Sequence, residues 1–474
     1  MTSVERLVEV HRLAVAGGEA DIAHAIDRTL NRQWRATSRF REVEQLAGKT
    51  LELGPDTYAL DSLATAKQRL GDPWTARDLF LQALGLDRAA NNRAGEAATL
   101  NNIGLVYAGL GDRGRALEFY NEALPICREV GDRAGEAVTL NNIGLVYDGL
   151  GDRGRALEFY NEALPICREV GDRAGEAATL NNIGLVYDGL GDRGRALEFY
   201  NEALPICREV GDRAGEAATL SNIGLVYDGL GDRGRALEFY NEALPIRREV
   251  GDRAGEAVTL SNIGLVYAGL GDRGRALEFY NEALPICREV GDRAGEAVTL
   301  NNIGLVYAGL GDRGRALEFY NEALPICREV GDRAGEAVTL NNIGWVYAGL
   351  GERGRALEFY NEALPIRREV GDRAGEAVTL SNIGLVYDGL GDRGRALEFY
   401  NEALPIRREV GDRAGEAVTR YNVAMVLRAE GDLAAAVAEL EQTVALDAQV
   451  GHPDLEADTA MLNELRSQLD AGEH

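Results

Sequence analysis

Apolar side chains along this chain recur with a helical period, and the recurrence is itself repeated. Leu100, Ile103, Gly104, Tyr107 and Leu110 fall three or four positions apart, as do Ala116, Phe119, Tyr120, Ala123 and Leu124. No run of β-branched residues alternates as a half-buried strand would. The spacing predicts a helix A over roughly 94–110 and a helix B over roughly 113–130. Between them Gly111 suits the left-handed residue that closes a helix, and Asp112 suits the cap that opens one. The segment "GDRAGEA" at 131–137 repeats that punctuation before the next helix A.

The pair is one copy of a 40-residue unit. "NNIGLVYAGLGDRGRALEFYNEALPICREVGDRAGEAVTL" begins at Asn101 and recurs nearly letter for letter from 141, 181, 221, 261, 301, 341 and 381. A fixed period of this size marks an architecture of stacked repeats. It also settles the meaning of "GLGDRG" at 109–114, whose G-x-G-x-x-G spacing can cradle a dinucleotide. That chemistry needs a strand before the turn, and here a helix precedes it. Pro125 removes one helical hydrogen bond and crowds the carbonyl of Asn121, so helix B should kink there or end early; a bend is expected, because Ile126 and Val130 continue the apolar stripe.

The copies fade toward both ends, as the ends of a stack should. Upstream, Gly71-Asp72 aligns with Gly111-Asp112, and Pro73 suits a first helical turn. Residues 4–16, 19–32 and 38–53 read as further amphipathic helices. The organisation is then a helical cap at 1–54, a degenerate repeat at 55–94, eight near-identical repeats at 95–420, and a degenerate repeat with a capping helix at 421–474.

The spacing Leu100-x2-Ile103-Gly104-x2-Tyr107 followed by Ala116-x3-Tyr120 resembles the tetratricopeptide signature. The 40-residue length, with "NNIG", "ALEFYNEAL" and "GDRAGEA", is similar to the longer repeats of kinesin light chains, G-protein-signalling modulators and bacterial sensor arrays. The position of Pro125, inside helix B, departs from the family pattern. The resemblance implies an all-α fold, a right-handed α-solenoid of stacked antiparallel helix pairs, with helix A lining a concave groove that binds extended peptides. Carried onto this chain, the groove stripe comprises positions 98, 101, 102, 105, 108 and 109.

Asn102 recurs as Asn142, Asn182, Asn222, Asn262, Asn302, Asn342 and Asn382. By the resemblance these amides hydrogen-bond a bound peptide's backbone; the alternative is that they bond a neighbouring helix and fix packing. The copies differ mainly on helix A, and the differences are either selected or drift. Asp148, Asp188 and Asp228 form an acidic row, Ala268, Ala308 and Ala348 with Trp345 an apolar stretch, and Asp388 restores a charge. The ligand expected from this pattern has basic residues toward the N-terminal half and an apolar anchor near Trp345.

Composition narrows the partners. A formal net charge of −26 over 474 residues argues against nucleic acid and anionic membrane. No apolar run reaches bilayer length and the start is not signal-like, which makes the cytoplasm the expected location. Cys127, Cys167, Cys207, Cys287 and Cys327 occupy a position that is Arg247, Arg367 or Arg407 elsewhere, so free thiols are expected. His11, His24, His452 and His474 lie only at the ends, and Glu118 and Glu122 read as an exposed helix face beside Arg115. No catalytic residues, metal site or cofactor are expected. The leading reading is a non-enzymatic scaffold for protein or peptide partners. The other is a sensor or regulatory subunit of a bacterial signalling or defence system, its NTPase or protease effector on another chain.

Overall fold

The computed structural model describes residues 3–472. Among them are 24 α-helices and one short 3-10 helix, Leu51–Leu53, with no strand. Helix A of the first regular repeat is Arg93–Gly109 and helix B is Arg113–Val130. The expected all-α class and antiparallel helix pairs are therefore present, with boundaries displaced by about one residue. The chain forms two compact units, Met1–Ile246 and Arg247–His474. In each, consecutive helices pack pairwise and successive A helices touch. No helix of the described residues is long and apolar enough to cross a membrane.

Punctuation works as the sequence implies. Gly111 has φ +79° and Gly131 φ +69°, conformations that a side chain would strain. Asp112 Oδ1 accepts from the Arg115 N–H at 3.1 Å, and Asp132 Oδ1 from the Gly135 N–H at 2.9 Å. The seventh copy substitutes Glu352, one methylene longer, and that side chain makes no capping bond. Instead it pairs with Arg355 at 3.1 Å. Glu352→Asp should restore the cap and raise stability by about 1 kcal/mol. A urea midpoint unchanged by the substitution would show that the cap contributes nothing there.

Pro125 neither ends helix B nor interrupts it, since the helix continues to Val130. The apolar stripe explains why: Ile126 and Cys127, beyond the proline, are both buried in the core. Helix A meets helix B at Gly104, where an added Cβ would lie 2.5 Å from Tyr120 Cε1. The tyrosine ring thus lies directly on helix A backbone, fully buried, and the same contact recurs at Gly144–Tyr160 and Gly184–Tyr200. Tyr107 takes a different role, stacking on Phe119 at 5.4 Å under the Arg115 guanidinium. Leu150, equivalent to Leu110, stands exposed at the turn and is not part of the core.

All five cysteines are free and buried, and burial pushes the Cys127 thiol above its ordinary range. Such thiols are poor nucleophiles, because the thiolate is the reactive form. Where arginine replaces them, Arg367 is buried and paired with Asp372, its Nε left without a partner.

A ladder of ion pairs joins one repeat to the next. Buried Glu136 accepts from Arg128 of the preceding helix B at 2.7 Å and also pairs with Arg133. Arg128 reaches Glu162, and Arg133 reaches Glu169 at 2.8 Å. Glu118 and Glu122 lie on an exposed face, as expected; Glu122 also pairs with Arg88 of the repeat before, whereas Arg115 pairs locally with Asp112. Arg88 holds the Glu96 carboxyl below its ordinary value; in Glu176 burial works the other way, and Arg168 and Arg173 overcome it. A carboxyl depressed in the fold contributes stability above its unfolded pKa of about 4.3 and loses it as pH falls through the folded value. Urea midpoints should therefore drop steeply below about pH 4.5; a midpoint flat to about pH 3 would contradict the ladder's role.

Candidate functional site: the exposed face of helix A

The helix A stripe singled out from the sequence does form one face. Positions 98, 105 and 109 are exposed in the first regular repeat, with 101, 102 and 108 half-buried between them. A three-to-four-residue spacing places them in line along the helix. The exposed members are apolar: Val138 with Leu145, and Val258 with Leu265. Trp345, exposed at 49%, replaces the leucine of its repeat, and Leu385 occupies the same place in the next. Large apolar groups thus stand in water on this face at every repeat, and helix B leaves one of its own exposed near its end, at Val130 and Val170.

Between the apolar positions runs a ladder of amides. Asn142 Nδ2 donates to Asn101 Oδ1 at 3.1 Å, and Asn182 and Asn222 donate likewise to Asn141 and Asn181. In the second unit Asn342 donates to Asn301 at 3.2 Å and Asn382 to Asn341 at 3.3 Å. Asn102 ends the series on Asp61 at 2.9 Å. One N–H of each such amide is thus committed to stacking, and its carbonyl still has acceptor capacity. Both alternatives for these residues are compatible with that geometry.

Serine breaks the ladder. Ser261 takes the place of Asn101 and bonds Thr299 at 3.3 Å, and Ser381 bonds the Ala377 carbonyl at 2.9 Å. Asn302, opposite Ser261, makes no side-chain hydrogen bond among the described residues, and its amide remains half-buried on the face. Asn262 occupies the same place in its own repeat and is half-buried too. The sequence held the signal for this break, an N-to-S change one residue before the kept asparagine. Its consequence needed the partner forty-one residues away.

The acidic row lies on the last turn of helix A. Asp148, Asp188 and Asp228 in the first unit, and Asp388 in the second, are half-buried, and their carboxylates have no hydrogen bond or ion pair among the described residues. They are close enough to act on a common neighbour. Burial first, then the charges of Asp188 and Asp148, push the Tyr200 phenol above its ordinary range, and Asp228 and Asp188 do the same to Tyr240. The sequence reading overlooked what faces them. An added Cβ on Gly189 would meet Arg153 Nε at 2.7 Å, so a guanidinium from the preceding helix B lies one residue from Asp188 without pairing to it. Arg193 stands in the same way beside Gly229. In the second unit Arg273 lies beside Gly309, where the neighbour is Ala308 and no carboxylate.

A family model for the tetratricopeptide repeat matches the chain nine times in overlapping windows, from 56–129 through to 375–449. The chain belongs to the tetratricopeptide-repeat family. This tetratricopeptide-repeat protein has no match among curated protein sequences. Its fold is similar to that of a signal transduction ATPase with numerous domains from Pyrococcus horikoshii, which carries a tetratricopeptide repeat sensor. The identity is 14% over 79% of this chain, with a TM-score of 0.58, and the chain spans 57% of that protein's length. The apo form of the quorum sensor NprR from B. thuringiensis matches at 19% identity, covering 72% of this chain and 99% of that one, with a TM-score of 0.54. A Rap protein complexed with competence and sporulation factor matches at 16% identity, covering 78% and 98%, with a TM-score of 0.51. At such identities the likeness is one of fold.

Proposed function

We propose that the tetratricopeptide-repeat protein is a non-enzymatic scaffold whose helix A faces bind extended segments of partner proteins. The observation that carries this reading is the exposed apolar row, Val138 and Leu145 with their counterparts, flanking amides that retain acceptor capacity. An extended segment presents alternate side chains and unpaired backbone groups, which such a surface can take up together. In the first unit the unpaired carboxylates of Asp148, Asp188 and Asp228 favour a segment bearing lysine or arginine. In the second, Trp345 and the free amide of Asn302 favour one with a large apolar anchor. Asn102, Asn142, Asn182, Asn222, Asn262, Asn302, Asn342 and Asn382 are assigned to the main chain of the ligand, and Asp388 to a further basic group.

A second reading, a sensor or regulatory subunit, draws support from the fold likeness to a tetratricopeptide repeat sensor and to a quorum sensor. The two readings share the helix A face and differ in what binding triggers. The test is a peptide-display selection against the full chain, repeated with Leu185→Asp and with Trp345→Ala. Enriched peptides whose binding survives both substitutions would remove the helix A face from the account.

A further inference from the structure

The N-terminal cap conceals a polar chain that the binding surface does not use. Its three helices are Ser3–Gly17, Ala20–Ala36 and Phe40–Thr50. Ile26, Leu30, Trp34, Val43 and Leu46 form its apolar core. Through that core runs a line of hydrogen bonds. The Thr50 hydroxyl lies 2.9 Å from Asp27 Oδ1 and 3.1 Å from the Leu46 carbonyl oxygen, and His11 Nε2 lies 2.9 Å from the same hydroxyl. His11, Asp27, Asn31 and Thr50 are all buried, at 2%, 1%, 0% and 0% exposure. The line is incompletely satisfied: Asp27 Oδ2, both amide atoms of Asn31 and His24 Nε2 are buried without partners.

Two protonation states of Asp27 suit this geometry differently. Ionised, it accepts from Thr50 and leaves Oδ2 bare in an apolar core, at a cost that opening to water would relieve. Protonated, it donates to Thr50 Oγ1, which can still accept from His11 Nε2–H while giving its own hydrogen to the Leu46 carbonyl. The proton comes from solvent and no other species is required. We propose that the N-terminal cap is a proton-operated latch, closed when Asp27 is protonated and readily opened when it is ionised.

The groups around Asp27 reinforce that sense. Burial pushes its pKa up to about 6, the charge of Asp56 at the head of the next helix adds to this, and Thr50, His24 and the nearby Asn31 amide, which lacks hydrogen-bond geometry to it, oppose it. Asp56 is itself drawn toward Arg28 at 3.6 Å. His11 is held below its ordinary value by burial and by His24, so it stays neutral and offers no countercharge. With a closed-state value near 6 and an open-state value of about 3.9, closing takes up a proton, and the closed cap gains below pH 6. The repeats respond in the opposite sense, losing their carboxylate ladder on acidification. An opened first helix would uncover the apolar side of Leu30, Trp34 and Val43 at the end of the stack.

Hydrogen exchange of the full chain followed by mass spectrometry tests the latch. Corrected for intrinsic rates, exchange over 3–17 and 20–36 should be about tenfold slower at about pH 5 than at about pH 7.5, with a midpoint near 6. Asp27→Asn, neutral at every pH, should hold the slow rate throughout. A wild-type profile that is flat, or centred well outside that range, overturns the latch even if Asp27→Asn fails to fold its cap. An Asp27→Asn cap that folds and keeps the wild-type pH profile assigns the proton to a histidine and overturns it equally.

Discussion

Tyr200→Ala should cost about 3–5 kcal/mol, the largest loss expected of any single substitution in the array. The ring is 1% exposed and rests on backbone at Gly184, so its removal leaves a hole that rigid helices on both sides cannot close. Tyr200→Phe separates ring from hydroxyl. The hydroxyl makes no hydrogen bond among the described residues, so phenylalanine should change stability by less than about 0.5 kcal/mol. Urea denaturation monitored by circular dichroism reads both values. A small loss for alanine with a large one for phenylalanine would mean that Tyr200 acts through its hydroxyl, contrary to the packing described.

Reversing the acidic row should produce the largest change in binding. Asp148→Lys, Asp188→Lys and Asp228→Lys together exchange three unpaired carboxylates for cations beside Arg153 and Arg193. Each charge at contact distance from a ligand cation is worth about 1 kcal/mol in water, and reversal turns attraction into repulsion. For a basic peptide with one cation at contact distance the swing is about 2 kcal/mol, so affinity should fall about thirtyfold at low salt, and less at physiological ionic strength, where the screening length is about 8 Å. Because these carboxylates pair with nothing, the loss of stability should be confined to repulsion between the new lysines and Arg153 and Arg193, about 1 kcal/mol or less at each. Affinity for a basic ligand that is indifferent to the triple substitution at low salt would remove the acidic row from the proposed site.

The fold was legible because its signals are local and repeated. A glycine with positive φ followed by a capping aspartate fixes most helix starts in the repeats, and Asp112 and Asp132 do so almost at the residue expected. The apolar period fixed which side of each helix is buried except at its last position: Leu110 packs against the core, while its counterparts Leu150, Leu190 and Leu230 stand exposed at the turn. That helix B continues past Pro125 was legible from Ile126, which carries on the apolar stripe; the burial of Ile126 and Cys127 against other helices is what holds the helix together to Val130. What sequence spacing does not carry is any bond between residues about forty positions apart. The donation from Asn142 to Asn101 and the reach of Arg128 to Glu162 and of Arg133 to Glu169 belong to that class, as does Arg153 beside Asp188. The buried line from His11 to Asp27 was hidden for the same reason, its members lying on three different helices.

The central claim is that partners meet the exposed face of helix A and not that of helix B. A photo-crosslinking amino acid placed at Leu185 on helix A, or at Glu198 on helix B, reads this directly with a display-selected peptide and the full chain. Both positions are exposed, so access alone does not bias the result. Cross-links from position 185 with none from 198 are predicted; cross-links from 198 with none from 185 would contradict the account.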